Sequence, residues 1–276
     1  MPRSILAHRF ALLLLTASAV ALACPGARAA DYTEQYERYR EAVAAKDLES
    51  AVVHARRALL AATRELGPQA EQTGVLAYNL GAVNYQLGRY ADAAKALEQA
   101  IPVYESVYGP SSEQLTKPLV KLAGSHQELE HWDRAERLYV RASSILIEKR
   151  GRKDPEVGLI LGQLMQVAAG IDDPKRVRSY GLRSLAALDG TDQGDPIALA
   201  NIHVTVAGAE MRLGDARQAR RHTERAVELY ESRYERTDPQ MLRIYGFAAD
   251  VFEQTGKEST ARKYRRRIRK AGGLDG

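Results

Sequence analysis

The chain has 276 residues, of which 45% are hydrophobic and 27% charged, with a single Cys. That composition excludes an intrinsically disordered polyelectrolyte, which lacks the apolar surface to offset chain entropy, and one Cys excludes an internal disulfide framework. The formal charge of +5 is unevenly placed: residues 1–30 hold three Arg and no acid, and Lys257 to Lys270 holds eight basic residues against one acid.

At the N terminus, Arg3 and Arg9 precede an uncharged run of 14 residues from Phe10 to Ala23. Pro25 and Gly26 break the run, and Ala27-Arg28-Ala29 follows. A basic start, a short apolar stretch and small residues at alternate positions predict a secretory signal peptide over residues 1–30, cleaved after Ala29. The apolar run is short for a hydrocarbon core of about 30 Å. An exported, periplasmic protein follows from this reading. Cys24 keeps a second one open: Ala21-Leu22-Ala23-Cys24 resembles a bacterial lipobox, in which Cys24 is acylated and becomes the first residue of a lipoprotein.

Beyond residue 30 the chain repeats itself. The stretch Leu80 to Ala100 places Leu80-Gly81, Gly88, Tyr90, Ala93, Leu97 and Ala100 at offsets that put small residues inside two helix-like runs. A step of 42 residues from Ala93 meets Ala51, Ala135, Val177, Ala219 and Ala261, and from Ala100 it meets Ala58, Ala142, Ser184, Ala226 and Ile268. The Gly81 register contains Tyr39, Ala123, Met165, Ala207 and Ala249; the Gly88 register returns Gly214 and Gly256 but also Lys46, Glu130 and Asp172. Six registers keep one phase with no insertion.

These residues resemble the tetratricopeptide repeat (TPR), a helix–turn–helix unit of about 34 residues. Gly109-Pro110 and the longer second helix before it are similar to the 42-residue variant of kinesin light chains. The resemblance implies an all-α, right-handed TPR superhelical solenoid of about six helix–turn–helix repeats, with units at about 31–68, 69–110, 111–152, 153–194, 195–237 and 238–272. On physical grounds, Gly88 is expected in the left-handed conformation that ends a helix, and Asp47 is expected to cap the next helix through Ser50. Trp132 takes the place of Tyr90 and reads as a packing residue. The fourth unit carries Gly158, Gly162, Gly170 and Gly181, with Pro174 at the Tyr90 position, and is expected to be the softest. Pro102 and Pro118 have no role in the pattern.

Chemistry is sparse. Phosphate-loop and serine-nucleophile motifs are absent. His126 and His131 stand five apart across a predicted helix end, a spacing that does not share one helix face. The sequence therefore predicts no catalytic residue, metal or cofactor. What the TPR resemblance implies is a concave groove lined by the first helices, with Tyr36, Arg40, Tyr78, Asn79, Tyr85, Lys117 and Lys121 facing it and Asn201 and Arg243 extending it. Tyr, amide and cationic side chains together suit an extended peptide. Asn79, Lys117 and Lys121 fall where the carboxylate clamp of chaperone-binding TPR domains would place its ligands, whereas Tyr36 and Arg40 depart from that pattern.

In the last helix, Arg265, Arg266, Arg267, Arg269 and Lys270 form a basic patch, read either as a solvated cap or as a contact for an anionic membrane surface. Nucleic acid is not expected as a partner of an exported chain. The function that emerges is a non-catalytic protein–protein interaction scaffold in the bacterial cell envelope, with a partner peptide or protein in the groove. The alternative is a lipid-anchored envelope assembly factor that contacts membrane through its basic C-terminal helix.

Overall fold

A computed structural model describes residues 31–191 and 195–271; the expected signal peptide and Cys24 lie outside the described residues. In chain order the helices are α1 (Asp31–Ala44), α2 (Leu48–Glu65), α3 (Glu71–Gln86), α4 (Tyr90–Tyr108), α5 (Thr116–Glu128) and α6 (Trp132–Arg150). They continue as α7 (Pro155–Gly170), α8 (Pro174–Leu188), α9 (Pro196–Arg212), α10 (Ala216–Glu231), α11 (Pro239–Gln254) and α12 (Glu258–Ala271). No strand occurs among the described residues. Each helix packs on the one before it and the one after it, and α3 also meets α5. The result is a solenoid of antiparallel helix pairs, with odd-numbered first helices forming one layer and even-numbered second helices the other.

The turn inside each pair is the most regular part of the molecule. Lys46, Gly88, Glu130, Asp172, Gly214 and Gly256 all take positive φ, between 57° and 79°. At every one of these turns the next residue donates its N–H back five positions: Asp47 to Ala42, Arg89 to Asn84, His131 to His126, Asp173 to Ala168, Asp215 to Glu210 and Lys257 to Phe252, at 2.7–3.0 Å. This closes the first helix with a left-handed residue and satisfies its last carbonyls. Half of the turns do so without Gly, although an L-residue pays about 1–2 kcal/mol for that conformation. Glu130→Gly is therefore expected to stabilise the array by about 0.5–1 kcal/mol, read as a higher urea midpoint, whereas Glu130→Val should lower it.

Caps and prolines begin the helices. Asp47, Asp154, Asp173, Asp195, Asp215 and Asp238 each accept a backbone N–H at the start of the helix that follows. Pro174 sits in the first turn of α8 behind Asp173, so it starts that helix and does not weaken it. Pro118 lies in the first turn of α5, where a missing N–H costs nothing. Pro102 is inside α4 on its exposed side, which leaves the Glu98 carbonyl to water.

Small residues make the core. Ala51, Ala93, Ala135, Ala219 and Ala261 are all buried at equivalent sites, and Val177 fills the same site in the fourth pair. Ala58, Ala100, Ala142, Ser184 and Ala226 repeat the pattern one layer further, with the Ser184 hydroxyl donating to the Gly158 carbonyl at 2.7 Å. Two glycines of the fourth pair lie at close contacts. The Trp132 ring lies over Gly170, and Val206 and the Met165 sulfur crowd Gly181, so these glycines are contact points. Trp132 is a packing residue, as its register implies.

One buried group runs against the apolar pattern. Glu210 of α9 is buried, and its Oε2 has no hydrogen-bond partner, with Arg178 at 3.5 Å and the Asp215 carboxylate also near. Burial raises its carboxyl above the ordinary range, against the pull of Arg178. A raised folded-state value means that ionised Glu210 works against folding, so its contribution worsens as pH rises through that value and vanishes at acid pH. Glu210→Gln should therefore raise thermal stability at pH 7 and lose that advantage near pH 4, with melting curves at the two pH values as the check.

Candidate functional site

The first helices place the sequence-derived residues on one layer of the solenoid. Two rows one helical turn apart run along it: Thr33, Val75, Lys117, Leu159, Asn201 and Arg243, and then Glu37, Asn79, Lys121, Gln163, Thr205 and Phe247. Tyr36 stacks on Tyr39 with ring centroids 5.8 Å apart, and Arg40 is tied to Glu37 at 3.0 Å. Tyr78 is half-buried against Tyr104, and burial lifts its phenol above the usual range. Asn79 is half-buried and Lys117 exposed. The structure brings Tyr85 and Lys121 together. The Tyr85 ring fills the space over Gly124 and meets the edge of Tyr90, and the Lys121 ammonium lies 5.3 Å from its centroid. A cation over a tyrosine face is attracted by the ring quadrupole.

Lys121 is half-buried, and burial holds its ammonium below the ordinary lysine range. Among the described residues no carboxylate approaches it within ion-pair distance, nor any of Lys117 and Arg243 in the same row system. Asn201 is occupied, accepting from the Tyr230 hydroxyl at 2.7 Å. The layer thus offers amides, phenol faces and three cations without acidic partners.

Two imidazole pairs form that spacing alone does not disclose. His126 and His131 meet across the α5–α6 turn with Nδ1 atoms 3.3 Å apart, because the reversal folds the helix end back on itself. His203 of α9 and His222 of α10 approach to 2.8 Å. Their ring centroids are 5.1 Å apart, so the two nitrogens lie between the rings and aim at each other. That is a shared-proton hydrogen bond, not two lone pairs converging on an ion. Among the described residues no group of three or more His, Cys, Asp or Glu is placed to hold a metal. Burial, the facing His222 ring and the nearby Arg225 and Arg221 push His203 down to about 4, so it is neutral at pH 7.

In the basic C-terminal patch, Arg265 pairs with Glu253, and Arg267 pairs with Glu231 at 2.8 Å while lying over the Tyr245 and Tyr264 rings. These two close the end of the solenoid; Arg266, Arg269 and Lys270 remain exposed.

A family model described as tetratricopeptide repeat matches residues 42–106 and 198–271, together half of the chain. The chain belongs to the tetratricopeptide repeat family. Solved structures share the fold at low identity. BtubC (BKLC) from P. vanneervenii is 16% identical with a TM-score of 0.63, over 87% of this chain and 91% of that one. A Podosopora anserina array of nearly identical TPR-like repeats, assigned to the kinesin light chains, is 14% identical with a TM-score of 0.61, over 75% and 96–97% of the two chains. YrrB, a TPR protein with an unusual peptide-binding site, is 12% identical with a TM-score of 0.54, over 77% and 91%. No curated protein matches the sequence. The TPR array is a fold of interaction scaffolds, and no described helix is long and apolar enough to cross a membrane.

Proposed function

We propose that this TPR array is a non-catalytic scaffold of the cell envelope whose first-helix layer binds an extended, acidic peptide segment of a partner protein. The observation that carries the reading is Lys121: a half-buried ammonium, set on the Tyr85 ring, with no carboxylate beside it among the described residues. A desolvated cation without a counter-ion favours an incoming carboxylate more than a solvated one does. Lys117 stands one turn before it, and Asn79, Gln163 and Thr205 extend its row with groups that hydrogen-bond a peptide backbone. The envelope setting is supported by the basic start, the apolar run and the small residues of the first 30 positions.

Affinity capture from envelope extracts tests this, comparing the wild type with a Tyr78→Ala/Asn79→Ala/Lys121→Ala variant. The wild type should retain a partner that the variant loses, and Lys121→Glu alone should weaken it at least about tenfold, the scale of a charge-assisted hydrogen bond. Equal recovery by wild type and variant would remove the groove reading. A capture confined to cytoplasmic extracts would remove the envelope setting and leave the groove intact.

A further inference from the structure

Charge in this TPR array is sorted by layer, and only in its C-terminal half. The second helices α8, α10 and α12 carry 15 Lys and Arg against four Asp and Glu. The first helices of the same pairs, α7, α9 and α11, carry two against four. In the N-terminal half the second helices α2, α4 and α6 are balanced, at nine against eight. The excess is also in register. Lys175 and Arg217 are 42 residues apart, as are Arg221 and Lys263, and Arg183 corresponds to Arg225 and Arg267. Lys175, Arg183, Arg217, Arg221, Lys263 and Arg266 are exposed, and none has a carboxylate within ion-pair distance among the described residues. Solvated ion pairs explain other cations of this layer, such as Arg176 with Glu136 and Arg225 with Glu228, but not these.

Apolar surface sits inside the basic field. Leu182 is 42% exposed. Behind it opens a cleft of about 590 Å³ between α8 and α10, floored by α9, in which Leu185, Leu199 and Leu229 alternate with the His203–His222 pair, Arg221 and Arg225. Beside it α8 ends at Leu188, after 15 residues where α4 and α6 have 19. Asp189, Glu224 and Glu228 also line the cleft, so the positive excess surrounds the opening and is not concentrated within it.

We infer that the second-helix face of α8, α10 and α12 docks on an anionic phospholipid surface, with exposed Leu182 inserting among the acyl chains. A field of basic residues draws the array to anionic headgroups, each contributing on the order of 1 kcal/mol near the surface. A purely polar polyanion would use the cations and leave Leu182, exposed among them, without a partner, which is why lipid is favoured over nucleic acid or an acidic protein. This face is on the opposite layer from the groove, so the array can hold a partner peptide and a bilayer at once.

Flotation of the full chain with vesicles tests the assignment. Binding should be strong to phosphatidylcholine vesicles doped with phosphatidylglycerol and should fall with added salt. Residues 1–30 contribute equally to all variants, so the readout is the difference between variants on the same vesicles. Arg183→Glu/Arg217→Glu/Arg221→Glu/Arg266→Glu should weaken anionic-vesicle binding roughly a hundredfold or more. Arg217→Glu/Arg221→Glu alone, with matched circular dichroism, guards against a folding defect and should still lose about tenfold or more. Lys117→Glu/Lys121→Glu, on the groove layer, should leave vesicle binding unchanged. Brominated lipid should quench a Leu182→Trp variant more than it quenches native Trp132. An unaffected arginine variant, binding to heparin or duplex DNA without vesicle binding, or an unquenched Leu182→Trp would each overturn it.

Discussion

Leu97→Ala will destabilise the array by about 3 kcal/mol, and adding Gly81→Ala will recover part of that loss. Leu97 is fully buried between α3 and α4, in the core that continues through α5 to α7. Truncating a buried Leu to Ala typically costs about 2–5 kcal/mol, the sum of lost transfer energy and a cavity. Its neighbour makes the test specific. A Cβ added to Gly81 would lie 2.6 Å from Leu97 Cγ and 3.2 Å from the Ala93 carbonyl oxygen. Gly81→Ala alone should therefore cost about 1–3 kcal/mol through overpacking, despite a helix-propensity gain of about 1 kcal/mol. With Leu97 already truncated, most of that clash is gone and the new methyl occupies the vacated space. Urea titrations of the four proteins should give a coupling energy of about 2 kcal/mol, well above additivity error. Simple additivity would show that Gly81 and Leu97 do not touch.

Gly181→Val should be nearly as damaging and should act at a distance. The added Cβ would meet Val206 Cγ2 at 2.4 Å and the Met165 sulfur at 2.9 Å. Val206 is fully buried and β-branched, so its χ1 has little freedom to retreat within a helix. Overpacking at such a site costs about 3 kcal/mol or more, and even Gly181→Ala should cost about 2 kcal/mol. In a solenoid each unit touches only its neighbours, so weakening the α8–α9 contact uncouples the last two pairs from the first four. Denaturation should then split into two transitions, and amide exchange should quicken in α9 to α12 ahead of α1 to α6. A Gly181→Ala protein as stable as the wild type would refute the close approach.

The periodic features were legible because each depends on residues within one repeat. Ala93 and its equivalents must be small wherever paired helices cross, and the same position recurs at each crossing. Asp47 capping α2 is similarly local, with Oδ1 accepting the Ser50 N–H at 3.0 Å. Where the pattern broke, the causes are partly local and partly between units. Lys46, Glu130 and Asp172 hold the left-handed turn without Gly because the hairpin around them supplies the same back-bond as at Gly88. Pro174 breaks the Tyr90 register, and with Asp173 it begins α8. Gly170 lies under Trp132 and Gly181 against Val206, contacts between units that the repeat does not disclose.

Among the candidate site residues, the amino-acid order assigned Tyr85 and Lys121 to one layer, but only the fold sets the ammonium on the ring. It gave no hint that His203 and His222, 19 residues apart, would share a proton. Nor could it divide the C-terminal arginines. Arg265 and Arg267 are consumed by Glu253 and Glu231, whereas Arg183, Arg217 and Arg221, distant in sequence, join Arg266 on a common layer.

The sequence by itself determined the unit, its 42-residue period and the all-helical stack, because crossing helices demand small side chains at a fixed interval and local order can encode that interval. The tertiary structure alone decided which charges keep a counter-ion and where a cleft opens between α8 and α10. Those outcomes depend on side chains that meet across about 40 residues, between neighbouring units, and a repeat fixes where a side chain starts without fixing what it touches.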